Sequence, residues 1–168
     1  MEKIFYIWLL KGYEIKKEEL VLFDLELYKK ADNYIRSFWT GGVDKKLVDK
    51  VSKDMDIQFP VSYIEFLMSF GEGGLSGTYI FGIEDEDYSS VYKRTHEFRK
   101  KYNINKNWAV IAKESNNWEA YILCLDTNRM KNGECPVIKY DYNNSEIEDF
   151  KENFYELFNY KCEVALNA

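Results

Sequence analysis

Phe59-Pro60-Val61-Ser62-Tyr63-Ile64-Glu65-Phe66-Leu67-Met68-Ser69-Phe70-Gly71-Glu72-Gly73-Gly74-Leu75-Ser76-Gly77 is the stretch around which the chain organises itself. Pro60, one of only two prolines, suits the first turn of a helix, where its fixed φ helps and its missing N–H costs nothing. Ser62 and Glu65 carry the S-x-x-E spacing of a capping box and offer an alternative start two residues later. Tyr63, Phe66, Leu67 and Phe70 recur three or four residues apart, so they share one helix face and must be buried. Gly71 is placed to end that helix in the left-handed conformation. Gly73, Gly74 and Gly77 then read as a loop leading into a strand at Thr78-Tyr79-Ile80-Phe81.

On either side, the periodicity predicts helices and strands in separate runs. Leu20, Phe23, Leu27, Ala31, Tyr34, Ile35 and Phe38 keep a helical period up to Thr40-Gly41-Gly42, and Val43, Leu47, Val48, Val51 and Met55 form a second stripe. A further helix carries Val91, Thr95, Phe98 and Tyr102. Strands are predicted at 108–113, 118–125 and 136–140, with a loop containing Gly133 between the last two. Ser145 and Glu148 repeat the capping-box spacing, and Ile147, Phe150, Phe154, Leu157 and Phe158 read as the stripe of a last helix. Helices early and strands late give a single α+β domain with a largely antiparallel sheet and helices packed against it. No linker separates a second domain.

Several motifs resemble those of the SUKH superfamily, which covers bacterial immunity proteins and fungal regulators of cell-wall synthesis. The resemblance starts with Phe59-Pro60, Tyr63, Phe66-Leu67 and the Gly-x-Gly-Gly of residues 71–74. It continues through Gly82-Ile83-Glu84, Ser90-Val91 and Trp108-Ala109-Val110-Ile111. Trp118-Glu119-Ala120-Tyr121, Leu125-Asp126-Thr127-Asn128 and Gly133-Glu134-Cys135-Pro136-Val137 carry it furthest and place the chain nearest the immunity branch. Residues 40–142 are covered. The resemblance implies a SUKH-like fold and an immunity protein that binds and neutralises a cognate secreted toxin, with no cofactor and no turnover. A regulatory scaffold of the fungal kind is the alternative it leaves open.

The 168-residue chain has a formal charge of −6 and a hydrophobic share of 46%, with 14 Tyr, 11 Phe and 4 Trp. That is enough to bury a core, and the negative balance argues against direct nucleic-acid binding, which needs cations to displace counterions from phosphate. An acidic surface suits a basic partner protein, such as a nuclease domain that grips phosphates. Cys124, Cys135 and Cys162 are an odd number far apart, so free thiols in a reducing, cytoplasmic setting are expected. The apolar opening Met1 to Leu10 stops at Lys11, too short to span a bilayer and without a secretory cleavage site.

Each candidate site has a plain reading beside the functional one. The glycines of 71–77 follow a helix and open a strand, the reverse of a phosphate loop, so they read as a cap and a turn. Glu84-Asp85-Glu86-Asp87 lacks the spaced ligands of a calcium loop; it is either a solvated loop ahead of a helix or a contact for a basic toxin. His96 is the only histidine, which excludes multi-histidine metal sites and leaves a thiol hydrolase using Cys135, the cysteine expected nearest the surface, as a third function class. Trp118 and Tyr121 fall on opposite faces of a regular strand, so one is free to anchor a partner, though two core aromatics fit equally well. Partner-binding residues are therefore expected among Glu84, Asp85, Glu86, Asp87 and Trp118, with Asp126 and Asp141 behind them. Residues 141–168 hold seven carboxylates against Lys151 and Lys161, five of the six net negative charges.

Residues 1–19 fit nothing in the resemblance and read as an added strand, a flexible extension or an upstream start, outside a domain of 20–168. Deleting them is expected to leave the melting temperature unchanged; a fall of many degrees in a thermal melt would contradict this.

Overall fold

Alternating registers and turn chemistry assemble a seven-stranded antiparallel sheet whose strand order follows the chain from β1 to β7. The computed structural model describes residues 24–167 apart from 36, 76 and 116–119. Its elements are α1 (Leu25–Ile35), β1 (Phe38–Trp39), α2 (Lys45–Met55), α3 (Val61–Phe70), β2 (Gly73–Leu75), β3 (Thr78–Ile80), α4 (Ser90–Tyr102), β4 (Trp108–Ser115), β5 (Ala120–Asp126), β6 (Val137–Asp141), β7 (Glu146–Lys151) and α5 (Phe154–Asn167), with a 3-10 turn at Thr127–Arg129. The fold is α+β, as the sequence implies.

Local chemistry sets the helix ends. Asp44 Oδ1 accepts the Leu47 N–H at 2.8 Å, and Ser89 Oγ accepts the Tyr92 N–H at 3.3 Å, each satisfying a donor the helix leaves unpaired. Asp56 and Asn103 close α2 and α4 in the left-handed region, with φ of 53° and 51°. The Pro60 helix forms as expected with Pro60 in the N-cap position, but no side chain of its own caps it. The Glu134 carboxylate does so from 72 residues away, taking the Ser62 N–H at 2.9 Å and the Ser62 hydroxyl at 2.6 Å. Gly133 O adds the Val61 N–H at 2.9 Å, so the loop after β5 seals the start of α3.

Three expectations are corrected. The first helix stops at Ile35, and Phe38-Trp39 pairs with Gly74 and Gly73 as β1. The glycine loop is half strand: β2 pairs with β3 through Gly73↔Ile80, Gly74↔Tyr79 and Leu75↔Thr78. The stripe from 145 to 158 is not one helix, because residues 146–151 pair with β6 as β7. Asp141 Oδ1 accepts the N–H groups of Asn143 and Asn144 at 2.8 and 3.2 Å, and Ser145 takes a φ of 59°. This turn folds the chain back on β6 and overrides the S-x-x-E signal. Asn153 is the actual cap of α5, its Oδ1 accepting the Glu156 N–H at 2.9 Å.

Helices cover both sheet faces. Lys113 lies against Tyr142, which packs on Phe98 and Tyr102 of α4, while its neighbour Glu114 meets Lys161 of α5. Adjacent strand residues point to opposite faces, so α4 and α5 lie on opposite sides. Between α3 and α5 the core is aromatic: Tyr63, Phe66, Phe154 and Phe158 are fully buried, with Tyr63 and Phe66 both 5.0 Å from Phe154. Such ring pairs add to plain area burial.

Lys161 is buried and ion-paired with Glu114, whose other partners are the Tyr121 and Thr78 hydroxyls. Burial raises the Glu114 pKa, but the donors from Lys161, Tyr121 and Thr78 outweigh it and hold the carboxyl below its usual 4.5. A depressed folded-state pKa gives stability that is present above the unfolded value and lost as pH falls through the folded one. Melting temperature is therefore expected to fall as pH drops below 4.5, and less steeply in Glu114→Gln; identical acid slopes in the two proteins would contradict this.

Candidate functional site

Glu72, the residue inside the Gly-x-Gly-Gly motif, is 2% exposed and charged, so its carboxylate must find donors. Tyr79 OH donates to Oε1 at 2.6 Å; Ser90 Oγ and Ser90 N–H donate to Oε2 at 2.6 and 3.3 Å. Its own backbone pairs with Thr40, as acceptor of the Thr40 N–H at 2.9 Å and as donor to Thr40 Oγ1 at 3.1 Å. One residue thus ties the chain before α2 to β2, β3 and the first turn of α4, where the helix N-terminus also favours a negative charge.

The flanking glycines make room for this knot. A Cβ on Gly73 would sit 1.9 Å from Phe38 O, and one on Gly82 would sit 2.0 Å from Gly71 O. Gly71 has the positive φ expected of it, 75°, but with ψ of −92° it lies outside the left-handed helical region. Burial and the Glu72 carboxylate together push the Tyr79 phenol well above its usual range, so it remains a donor.

Glu84, Asp85, Glu86 and Asp87 follow directly from this knot. All four are exposed, and none is ion-paired among the described residues. Asp85 Oδ1 accepts the N–H groups of Asp87 and Tyr88 at 2.8 and 2.9 Å, and Tyr88 O accepts those of Glu84 and Asp85 at 3.1 and 3.2 Å. The run is therefore a closed turn rather than a loose loop. Ser89 and Ser90 at its far end bond Gly82 O and Gly82 N, clamping the turn shut at its base. Tyr79, Tyr88 and Tyr92, each 39% exposed, share this region: Glu72 joins Tyr79 to Ser90, and Tyr88 and Tyr92 bracket Ser90 in sequence. Four carboxylates beside exposed aromatic rings make a surface suited to lysine and arginine side chains.

The other expected residues do not all join this surface. Asp126 leaves β5 at the same end of the sheet as the acidic turn leaves β3, because β3 and β5 run in one direction. It is 9% exposed and its Oδ2 holds Arg129 Nε at 2.8 Å, while Arg129 also grips Asp149 through two bonds of 2.6 and 3.0 Å. Asp126 therefore positions Arg129 and shows little of itself to solvent. Asp141 lies at the opposite end, paired with Tyr121; Asp126 is five residues beyond Tyr121, about 16 Å along the strand. Hydrogen bonds from the backbone N–H of Asn143 and Asn144 and from the Asn144 side chain hold its pKa below normal. Trp118 lies outside the described residues; Ser115 and Ala120, which flank it, pair at the Asp141 end of the sheet.

A thiol mechanism has no support in the geometry. Cys135 is 1% exposed rather than near the surface, and burial together with the Glu134 charge pushes its thiol up to about 12. Cys124 and Cys162 are fully buried, and burial raises both. His96 is exposed on α4, stacked on Tyr92 with centroids 4.2 Å apart. Among the described residues no group of acids, cysteines and His96 is arranged to hold a metal ion, and no helix is long and apolar enough to cross a membrane.

A family model, SUKH_5, described as SMI1-KNR4 cell-wall, matches residues 25–162. The chain belongs to the SUKH superfamily. The match spans every strand described above and most of α5, and within this SUKH domain the Gly-x-Gly-Gly motif is the seat of the Glu72 knot. No helical or strand period marks Glu72 in the sequence; a lone acid between glycines, ahead of a strand, is the signal for it.

Replacing Glu72 by Ala leaves the Tyr79 hydroxyl and both Ser90 donors without their acceptor. The expected loss is about 3 kcal/mol, a fall of about 10 °C in melting temperature. A melt within a degree or two of wild type would show that the knot carries no such weight.

Proposed function

We propose that this SUKH protein is an immunity protein. It binds the catalytic domain of a toxin encoded beside it and blocks that domain by occupying its surface, with no bond made or broken. The proposal puts it in the cytoplasm, where a cell making such a toxin needs protection. The carrying observation is the acidic turn: four exposed carboxylates, unpaired by neighbouring cations, on a turn tied to the core through Glu72 and Ser90. A toxin domain that grips nucleic acid carries the opposite charge, and a fixed acidic face both speeds encounter and mimics the phosphates it displaces. Glu84, Asp85, Glu86 and Asp87 make the contact, with Tyr79, Tyr88 and Tyr92 as apolar anchors. Asp126 contributes by placing Arg129, and Asp141 belongs to the far end of the sheet; Trp118 lies outside the described residues.

The matching family's cell-wall description supports a second reading, a regulatory scaffold that binds a host protein through the same face. A large toxin gene immediately beside this one favours immunity, and its absence favours regulation.

Charge reversal at two exposed positions, Asp85→Lys with Asp87→Lys, is expected to weaken binding of the neighbouring toxin domain by at least about tenfold, mainly through slower association at low salt. Unchanged affinity in a variant that melts like wild type would overturn this placement of the interface.

A further inference from the structure

Seven of the eight glycines described have a backbone reason to be glycine, either a positive φ or a Cβ position within 2.0 Å of a backbone atom. Gly74 has neither: its φ is not positive, and a Cβ there would meet only Thr78 O, at 3.6 Å. A glycine inside a strand weakens it and often marks close approach by a ligand or another chain. Gly74 pairs with Phe38 on one side and Tyr79 on the other, and residues opposite one another in a ladder share a sheet face. Phe38 is 65% exposed and Tyr79 39%, and their strands lie about 10 Å apart across β2. The result is a trough with an aromatic wall on each side and no side chain on its floor. Burial and Glu72, and after them Tyr88 and Glu84, push the Tyr79 phenol up, so the acidic turn lies beside this ring. We propose that Phe38, Gly74 and Tyr79 form a slot for one arginine side chain of the toxin domain, its stem on Gly74 and its guanidinium against the rings and toward Glu84. The partner's identity rests on the immunity reading; the chemistry of the slot does not.

An aliphatic side chain would fill the slot without answering the carboxylates, and lysine would answer them without a flat group for the rings. The same surface already holds a contact of this kind. Arg94 Cζ lies 5.7 Å from the centre of the Phe81 ring, which is itself 5.9 Å from that of Tyr79. Glu97 meets the Arg94 charge at 2.9 Å, and Lys93 sits 5.8 Å from the Tyr88 ring. These two cations stand against four exposed carboxylates at 84–87, so the balance beside the slot stays negative. The described arginines of this chain are engaged: Arg94 by Glu97, Arg99 by the Met55 and Lys106 carbonyls, and Arg129 by Asp126 and Asp149. Residues 1–23 contain no arginine, and Arg36 lies outside the described residues. A second copy or the chain's own start is therefore a poorer source of the guanidinium than a cationic partner.

The test uses the full chain with three probes: a hexa-arginine peptide, a hexa-lysine peptide of the same charge, and the neighbouring toxin domain. Wild type is expected to bind the arginine peptide at least about threefold more tightly than the lysine peptide. Gly74→Val fills the floor and suits a strand, so it is expected to melt at or above wild type and to lose that preference. Phe38→Ala, which removes an exposed wall, is expected to lose it too. Toxin affinity is expected to fall at least about tenfold in Gly74→Val, mainly through faster dissociation. Equal binding of the two peptides by wild type, as a slot filled by the chain's own residues would give, overturns the proposal. Unchanged toxin affinity in a Gly74→Val protein that melts like wild type also overturns it and leaves the acidic-turn contact standing. An arginine preference that Gly74→Val abolishes, in a protein that binds no neighbouring toxin domain, would keep the slot and overturn the immunity reading alone.

Discussion

A carboxylate taken out of water must be met by donors, and in this protein that requirement falls on Glu72. Three hydrogen bonds from Tyr79 and Ser90, with three more between its backbone and Thr40, join parts of the chain from residues 40 to 90. The cost of stranding such a group is large beside the net stability of a domain, so these partners hold one another in place. The glycines around it follow from the same constraint, since a side chain at Gly73 or Gly82 would collide with backbone that the knot draws close.

The knot also holds the acidic turn on the surface in one arrangement. Glu84 to Asp87 repel one another, and a flexible loop would relax by spreading them. Asp85 instead spends its carboxylate on the Asp87 and Tyr88 amides, and the serines that follow are fastened to Gly82 and Glu72. A partner meeting this surface does not have to order it first, which removes part of the entropic cost of binding. Membership of the SUKH superfamily supplies the class of role, and the proposed contact at the acidic face rests on its charge and its fixed geometry.

Much of the architecture was legible because helix stripes and β-rich runs report burial directly. The Tyr63, Phe66, Leu67 stripe is buried as its spacing requires, and so are Val48, Val51 and Met55. The errors came where turn chemistry competes with periodicity. Ile147 and Phe150 fit a helical stripe, yet the Asp141 side chain makes a tight turn that sends them into a strand. Gly73 and Gly74 look like loop residues, and only the close approach of Phe38 O shows why the strand has no side chain at Gly73. For the site, exposed charge at 84–87 was readable, but nothing local reveals that Asp126 is buried against Arg129 or that Glu134 caps a helix 72 residues earlier. Those partners are set by the sheet's topology, and a single sequence carries no direct record of it.

Amide hydrogen exchange of Ser90, read against the central strands β4 and β5, tests the Glu72 knot most directly. If the knot holds the base of the acidic turn as described, the Ser90 amide exchanges only when the whole domain opens, as slowly as the buried amides of those strands. Fast exchange at Ser90 while β4 and β5 stay protected would mean that the turn frays freely, and the account of a preformed acidic face would fail.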